Sequence, residues 1–208
     1  MKFKIVFLFL LFTSMCFAQD TISTLRQKKY LASNISISND SVKFKNFSSP
    51  QGREYSLSKD DIYDIKYHDG KIIDFLSEEE RSKPFDDFKS DLTSMINKFG
   101  FDSDSDTKRF YATFEDDYLR LQIKNSKGTK MDKGILYNFI KIYDVHDLSD
   151  RTKTYSFINI WVAAQVNPKI KRWEKHKIVM KVKGPDEAEK ILRLFKLLHK
   201  RILDIKRG

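Results

Sequence analysis

Cysteine occurs once in these 208 residues, at Cys16, and proline only four times. A disulfide framework is excluded, and thiol chemistry is confined to that one position. The seven glycines are scattered along the chain, so no Gly-rich loop is available to cradle a phosphate. No serine sits in a Gly-x-Ser-x-Gly elbow or beside an evident base, which removes the common signatures of nucleophilic catalysis. Beyond the opening residues, no apolar run approaches the roughly 20 residues that cross a bilayer as a helix. The expectation is a protein that is not an enzyme, carries no cofactor and has no transmembrane segment.

The opening residues have the layout of an export signal. Lys2 and Lys4 precede the apolar run Ile5–Phe12, and Cys16-Phe17-Ala18 leads to a cut after Ala18. Met15 is larger than the residue a lipobox places before its cysteine, so a lipoprotein is not expected. Cleavage would remove the cysteine. The mature chain is then held by its core alone, in the periplasm or at the outer membrane of a Gram-negative bacterium.

Charge is abundant and uneven. The net charge is +10, and residues 165–208 hold ten Lys and four Arg against five acids. This points to an anionic partner, lipid or polysaccharide, or to another envelope protein; export makes nucleic acid an unexpected one.

The C-terminal stretch organises the rest. From Arg172, His176, Ile178, Met180 and Val182 alternate with Lys175, Lys177, Lys181 and Lys183, the period of a strand with one core face and one lysine face. Gly184-Pro185 ends it, and Asp186 with Glu189 has capping-box spacing. Ala188, Ile191, Phe195, Leu198, Ile202 and Ile205 then mark the buried stripe of a long amphipathic helix. The candidate anionic-surface contact is Lys171, Arg172, Trp173, Lys175, Lys177, Lys181 and Lys183. Trp161 is expected in the core.

Along the whole chain, three segments follow the signal at residues 1–18. Residues 19–76 form a β-meander module whose first part, Gln19–Lys29, reads as a frayed polar lead-in. Within it, Asp69-Gly70 signals a two-residue hairpin. Residues 77–83 are a charged connector, and residues 84–208 an α+β domain. That domain opens with a helix after Pro84 whose natural C-cap is Gly100. About five antiparallel strands follow before the terminal helix. The fold class is therefore α+β: a small meander, then an antiparallel sheet flanked by two helices.

The run Val42-Lys43-Phe44-Lys45, with Pro50-Gln51-Gly52, Tyr55-Ser56-Leu57 and Asp61 through Gly70, resembles a β-meander of uncharacterised secreted proteins of the Bacteroidetes type. That resemblance implies an envelope location and a module without catalytic activity. The C-terminal part loosely resembles pleckstrin-homology-like barrels and helix-grip or TBP-like sheets, which carry no function by themselves. In the barrel analogy a basic loop joins the first two strands; here Glu115-Asp116 would repel phosphate.

Two acidic clusters have the residue types of metal sites. Asp102, Asp104 and Asp106 have the alternate spacing of a calcium loop, but Thr107 and Thr113 stand where its glycine and closing glutamate belong. Asp144, His146, Asp147 and Asp150 contain no His pair one helical turn apart. No metal is expected at either. The functional expectation is a binding or structural module contacting a protein or an anionic envelope surface. The alternative is a small apolar ligand carrier with a cavity between the sheet and the C-terminal helix.

Overall fold

A computed structural model describes residues 19–25, 28–125, 127–128, 131–146, 148–150, 154–167 and 169–207. The expected export signal and Asp147 lie outside the described residues. The fold is α+β, and the chain divides between Glu78 and Glu79 into two compact units.

The first unit is a six-stranded antiparallel sheet. Its strands are β1 (Asp20–Thr24), β2 (Lys29–Ile37), β3 (Ser41–Asn46), β4 (Glu54–Ser58), β5 (Ile62–Lys66) and β6 (Ile72–Asp74), in the order β4-β3-β2-β1-β5-β6. Alternation puts Ile22, Ala32, Val42, Phe44, Ile62 and Ile65 on one face, where they form the core. The expected lead-in is corrected here: β1 lies between β2 and β5, at the middle of the sheet. Asp69-Gly70 makes a longer turn than expected. Tyr67 and Lys71 pair across three residues, with Gly70 left-handed at φ 87° and the Asp69 carboxylate accepting from the Lys71 amide.

Beside that turn, Asp20 Oδ1 lies 2.9 Å from both the His68 amide nitrogen and its imidazole Nδ1. The hydrogen bond, and then the carboxylate's charge, raise the His68 pKa above its ordinary 6.5. Stabilisation by this pair is full below the unfolded pKa and is lost as pH rises through the raised one. Asp20→Asn is expected to return the His68 midpoint toward 6.5 in an NMR titration; an unmoved midpoint would mean that the contact does not form.

The second unit begins within the expected connector, which forms the short helix α1 (Glu78–Ser82). Glu80 there grips Arg193 with both carboxylate oxygens, at 2.5 and 2.8 Å. Helix α2 (Phe85–Phe99) buries Phe88, Leu92 and Ile96, and Asp86 and Asp87 occupy its first turn, where the helix dipole favours acids. Gly100 does follow the helix, but with extended backbone rather than a left-handed cap. Its role is close approach: a Cβ there would sit 2.7 Å from the Ile96 carbonyl oxygen.

The strands are β7 (Gly100–Asp102), β8 (Arg109–Glu115), β9 (Tyr118–Lys124), β10 (Ile135–Val145), β11 (Ser149–Asp150), β12 (Tyr155–Asn167) and β13 (Arg172–Lys183). Two of them, β7 and β11, add to the five expected. The order is β10-β9-β8-β7-β13-β12-β11, and β10 also pairs with β12, so the sheet closes into a barrel. Along β12, β11 carries on the edge that β10 leaves at Val145.

Gly184, at φ 93°, turns the chain from β13 into helix α3 (Pro185–Arg207). The helix packs on α2, β10, β12 and β13. Ala188, Ile191, Phe195, Leu198 and Ile202 are fully buried, and Phe195 stacks on Phe139 at 5.4 Å. The stripe stops one turn early. Ile205, expected in it, is 62% exposed.

Candidate anion-binding surface

Because β13 alternates, Ile178, Met180 and Val182 enter the core while Trp173, Lys175 and Lys177 face outward. The partner strand β12 alternates in step, with Lys175 beside Ala163 and Lys177 beside Trp161. Trp161 is thereby placed on the outer face, half-buried, and its expected core position is corrected. Its phase opposes that of Ile158, Ile160 and Val162, which are fully buried.

The outer face is a ledge of rings and cations. The Lys175 ammonium sits 4.9 Å from the Trp161 ring and 5.6 Å from that of Tyr143, and Lys177 sits 5.9 Å from Trp161. Tyr143 joins them through a bulge: Ile142 pairs with Val162 and Asp144 with Trp161, leaving Tyr143 as the extra residue. Trp173 stacks on Tyr118 at 5.4 Å and 26°. Tyr118 stands in the lateral row Tyr118, Asn138, Ala163, Lys175, and Trp173, two residues before Lys175 on the same face of β13, meets it diagonally across the small Asn138 and Ala163. Each cation over a partly exposed ring gains about 0.5–1 kcal/mol, enough to hold a lysine stem in place while its ammonium stays in reach of solvent.

Lys181 is a correction. It was expected on the lysine face but is only 7% exposed, with its ammonium 2.5 Å from Asp106 and 5.2 Å from the Tyr155 ring. The turn after β7 brings Asp106 over it and takes it out of any external contact. Lys183 is exposed, but beside Tyr155 at the other end of β13. Lys171 and Arg172 lie at the β12–β13 turn next to Trp173, with Arg172 paired to Glu174 at 2.5 Å. The structure thus groups Trp173, Lys175 and Lys177 with three rings that sequence reasoning left out of the site, those of Tyr118, Tyr143 and Trp161.

At the edge of the ledge, His146 Nε2 lies 3.4 Å from Asp144 Oδ2. Among the described residues no three His, Cys, Asp or Glu side chains converge as metal ligands would. The acidic β8–β9 turn is partly neutralised, because Glu115 binds Arg120 at 2.5 and 3.0 Å, which holds its carboxyl below the usual range.

Near the β12–β13 turn lies a cavity of about 530 Å³ lined by Arg120, Lys133, Ile135, Ala164, Val166 and His176, among others. Tyr137 stands beside it with its hydroxyl 3.4 Å from His176 Nδ1, and burial raises the phenol's pKa. None of the lining belongs to α3.

Fold and ledge together define a class: a six-stranded sheet unit and a helix-flanked antiparallel barrel whose outer face presents cations on aromatic rings. Compared with known protein families, characterised proteins and solved structures, the chain matches none.

Proposed function

We propose that this chain is a non-catalytic binding protein of the bacterial cell envelope that contacts an anionic surface through the ledge. The observation that carries this reading is Lys175 and Lys177 braced over Trp161, with Trp173 on the same face of β13. Rings that hold two ammonium groups outward lower the entropy lost when those groups meet an anion. The export signal and the resemblance to secreted Bacteroidetes-type proteins support the location. Lipid head groups and acidic polysaccharides share the anionic oxygens that the ledge would recognise.

The double variant Lys175→Gln/Lys177→Gln is expected to bind anionic vesicles or dextran sulfate about tenfold more weakly. Wild-type binding should also weaken as salt rises, since exposed charges are screened over about 8 Å at physiological ionic strength. Lys181 is left intact, because it is buried and takes no part in the outer face. Equal affinity of variant and wild type at low salt would remove the proposal.

A second reading, a carrier of a small apolar ligand, draws on the cavity near the β12–β13 turn. The space between the sheet and α3, where that carrier was expected to hold its ligand, contains the stacked Phe139 and Phe195.

A further inference from the structure

We propose that the anionic surface is a lipid bilayer and that the β12–β13 turn dips into it. This rests on the anionic-surface reading and names the surface. Ile170, at the turn, is 67% exposed, the highest value among the large apolar side chains described. Among the described residues of the turn, the Asn167 side-chain oxygen accepts from the amides of Lys169 and Ile170, at 3.0 and 3.4 Å, and Lys171 takes a left-handed φ of 49°. Ile170 is therefore held out by a hydrogen-bonded turn.

Other apolar groups gather at the same end of the barrel. The register that pairs Tyr137 with Ala164 carries Ile135 opposite Val166, and both are exposed. Met131, also exposed, lies in the β9–β10 loop, which opens at this end as well. The same two loops and the start of β13 carry Lys127, Lys133, Lys169, Lys171 and Arg172, against Asp132 and Glu174. Asp132 accepts from the amides of Ile123 and Gly134, and Glu174 and Arg172 pair with each other, which leaves the four lysines, among the described residues, as the collar's unopposed cations.

The order along the strand pair fits an interface. Aliphatic Ile170 comes first, then a collar of cations, then Trp173 stacked on Tyr118, the ring types that settle at head-group depth. Acidic sugars would use the rings but have no use for exposed Ile, Val and Met, whereas an acyl layer takes them out of water. Cations near an anionic leaflet each strengthen binding roughly fivefold, and one shallow apolar tip adds to that.

The test uses the full chain with vesicles of phosphatidylglycerol and phosphatidylethanolamine, with phosphatidylcholine vesicles and immobilised dextran sulfate as the other arms. Wild type is expected to bind the anionic vesicles. Ile170→Asp should bind them at least tenfold more weakly and keep its affinity for dextran sulfate. Ile170→Trp should become quenched by brominated acyl chains once bound, beyond the quenching of the two native tryptophans. Unchanged vesicle affinity in Ile170→Asp, or no added quenching in Ile170→Trp, overturns the inserted turn. Wild-type binding to dextran sulfate but not to vesicles also overturns it and leaves the ledge reading standing. Absence of binding in every arm removes both.

Discussion

Truncating Phe195 to alanine is expected to cost the second unit about 3–5 kcal/mol, the range for removing a buried aromatic side chain. Phe195 is fully buried; its ring stacks on Phe139, which in turn meets Phe114 edge-on at 5.4 Å. A line of three rings thus joins α3 to β10 and β8. Phe139 reaches this position because β10 bulges between Asn138 and Ile142, with the Asn138 side chain accepting from the Ile140 amide at 2.9 Å. Aromatic pairing adds roughly 0.5–1.5 kcal/mol to simple burial, so Phe195→Leu should cost less than the alanine change but still be measurable. The chain's two tryptophans, Trp161 and Trp173, both lie in this unit, so tryptophan fluorescence in a urea titration reads its unfolding directly. A loss below about 1 kcal/mol for Phe195→Ala would mean that α3 is not seated on β10 as described.

That helix was the most legible part of the chain, because its apolar stripe is sustained over several turns and a helix's period is a local property. The same holds for β13, where from Lys175 to Lys183 only Val179 interrupts the lysine face. Closure of the barrel was not legible. It depends on β10 meeting β12 through two bulges, and bulges interrupt the alternation from which register is read. The two strands missed in this unit, β7 and β11, are three and two residues long, and each exists only through the strands it pairs with, β8 and β13 for the first and β12 for the second.

The candidate site divides along the same line. Trp173, Lys175 and Lys177 could be placed on one face from the period of β13 alone. Tyr118 and Tyr143 come from strands whose phase relative to β13 is set by the fold. Trp161 could have been found: it is out of phase with Ile158, Ile160 and Val162, and that signal was outweighed by the general tendency of tryptophan to be buried. Lys181 was misread because its partner Asp106 lies 75 residues away, and period places a side chain on a face without saying what covers that face.

Ile22→Asp separates the expected lead-in from the observed strand most sharply. In a frayed segment the change would fall within about 0.5 kcal/mol, as exposed substitutions usually do. In β1 it replaces a fully buried residue that pairs with Tyr30 on one side and Ile65 on the other and belongs to the core with Val42 and Phe44. The variant loses that burial and sets a carboxylate in an apolar core, where it must be desolvated or protonated. Together these should exceed about 4 kcal/mol, and a unit of about 60 residues has little stability in reserve. The expected outcome is loss of amide-exchange protection throughout β2, β3 and β5, with the His68 midpoint returning toward its ordinary value as Asp20 leaves it. Thr21→Glu is the matched control on the opposite face, where Lys66 is the neighbouring residue, and should leave protection in place. Protection that survives Ile22→Asp would return β1 to the status of a loose lead-in and leave Ile65 and Phe44 without the strand that completes their sheet.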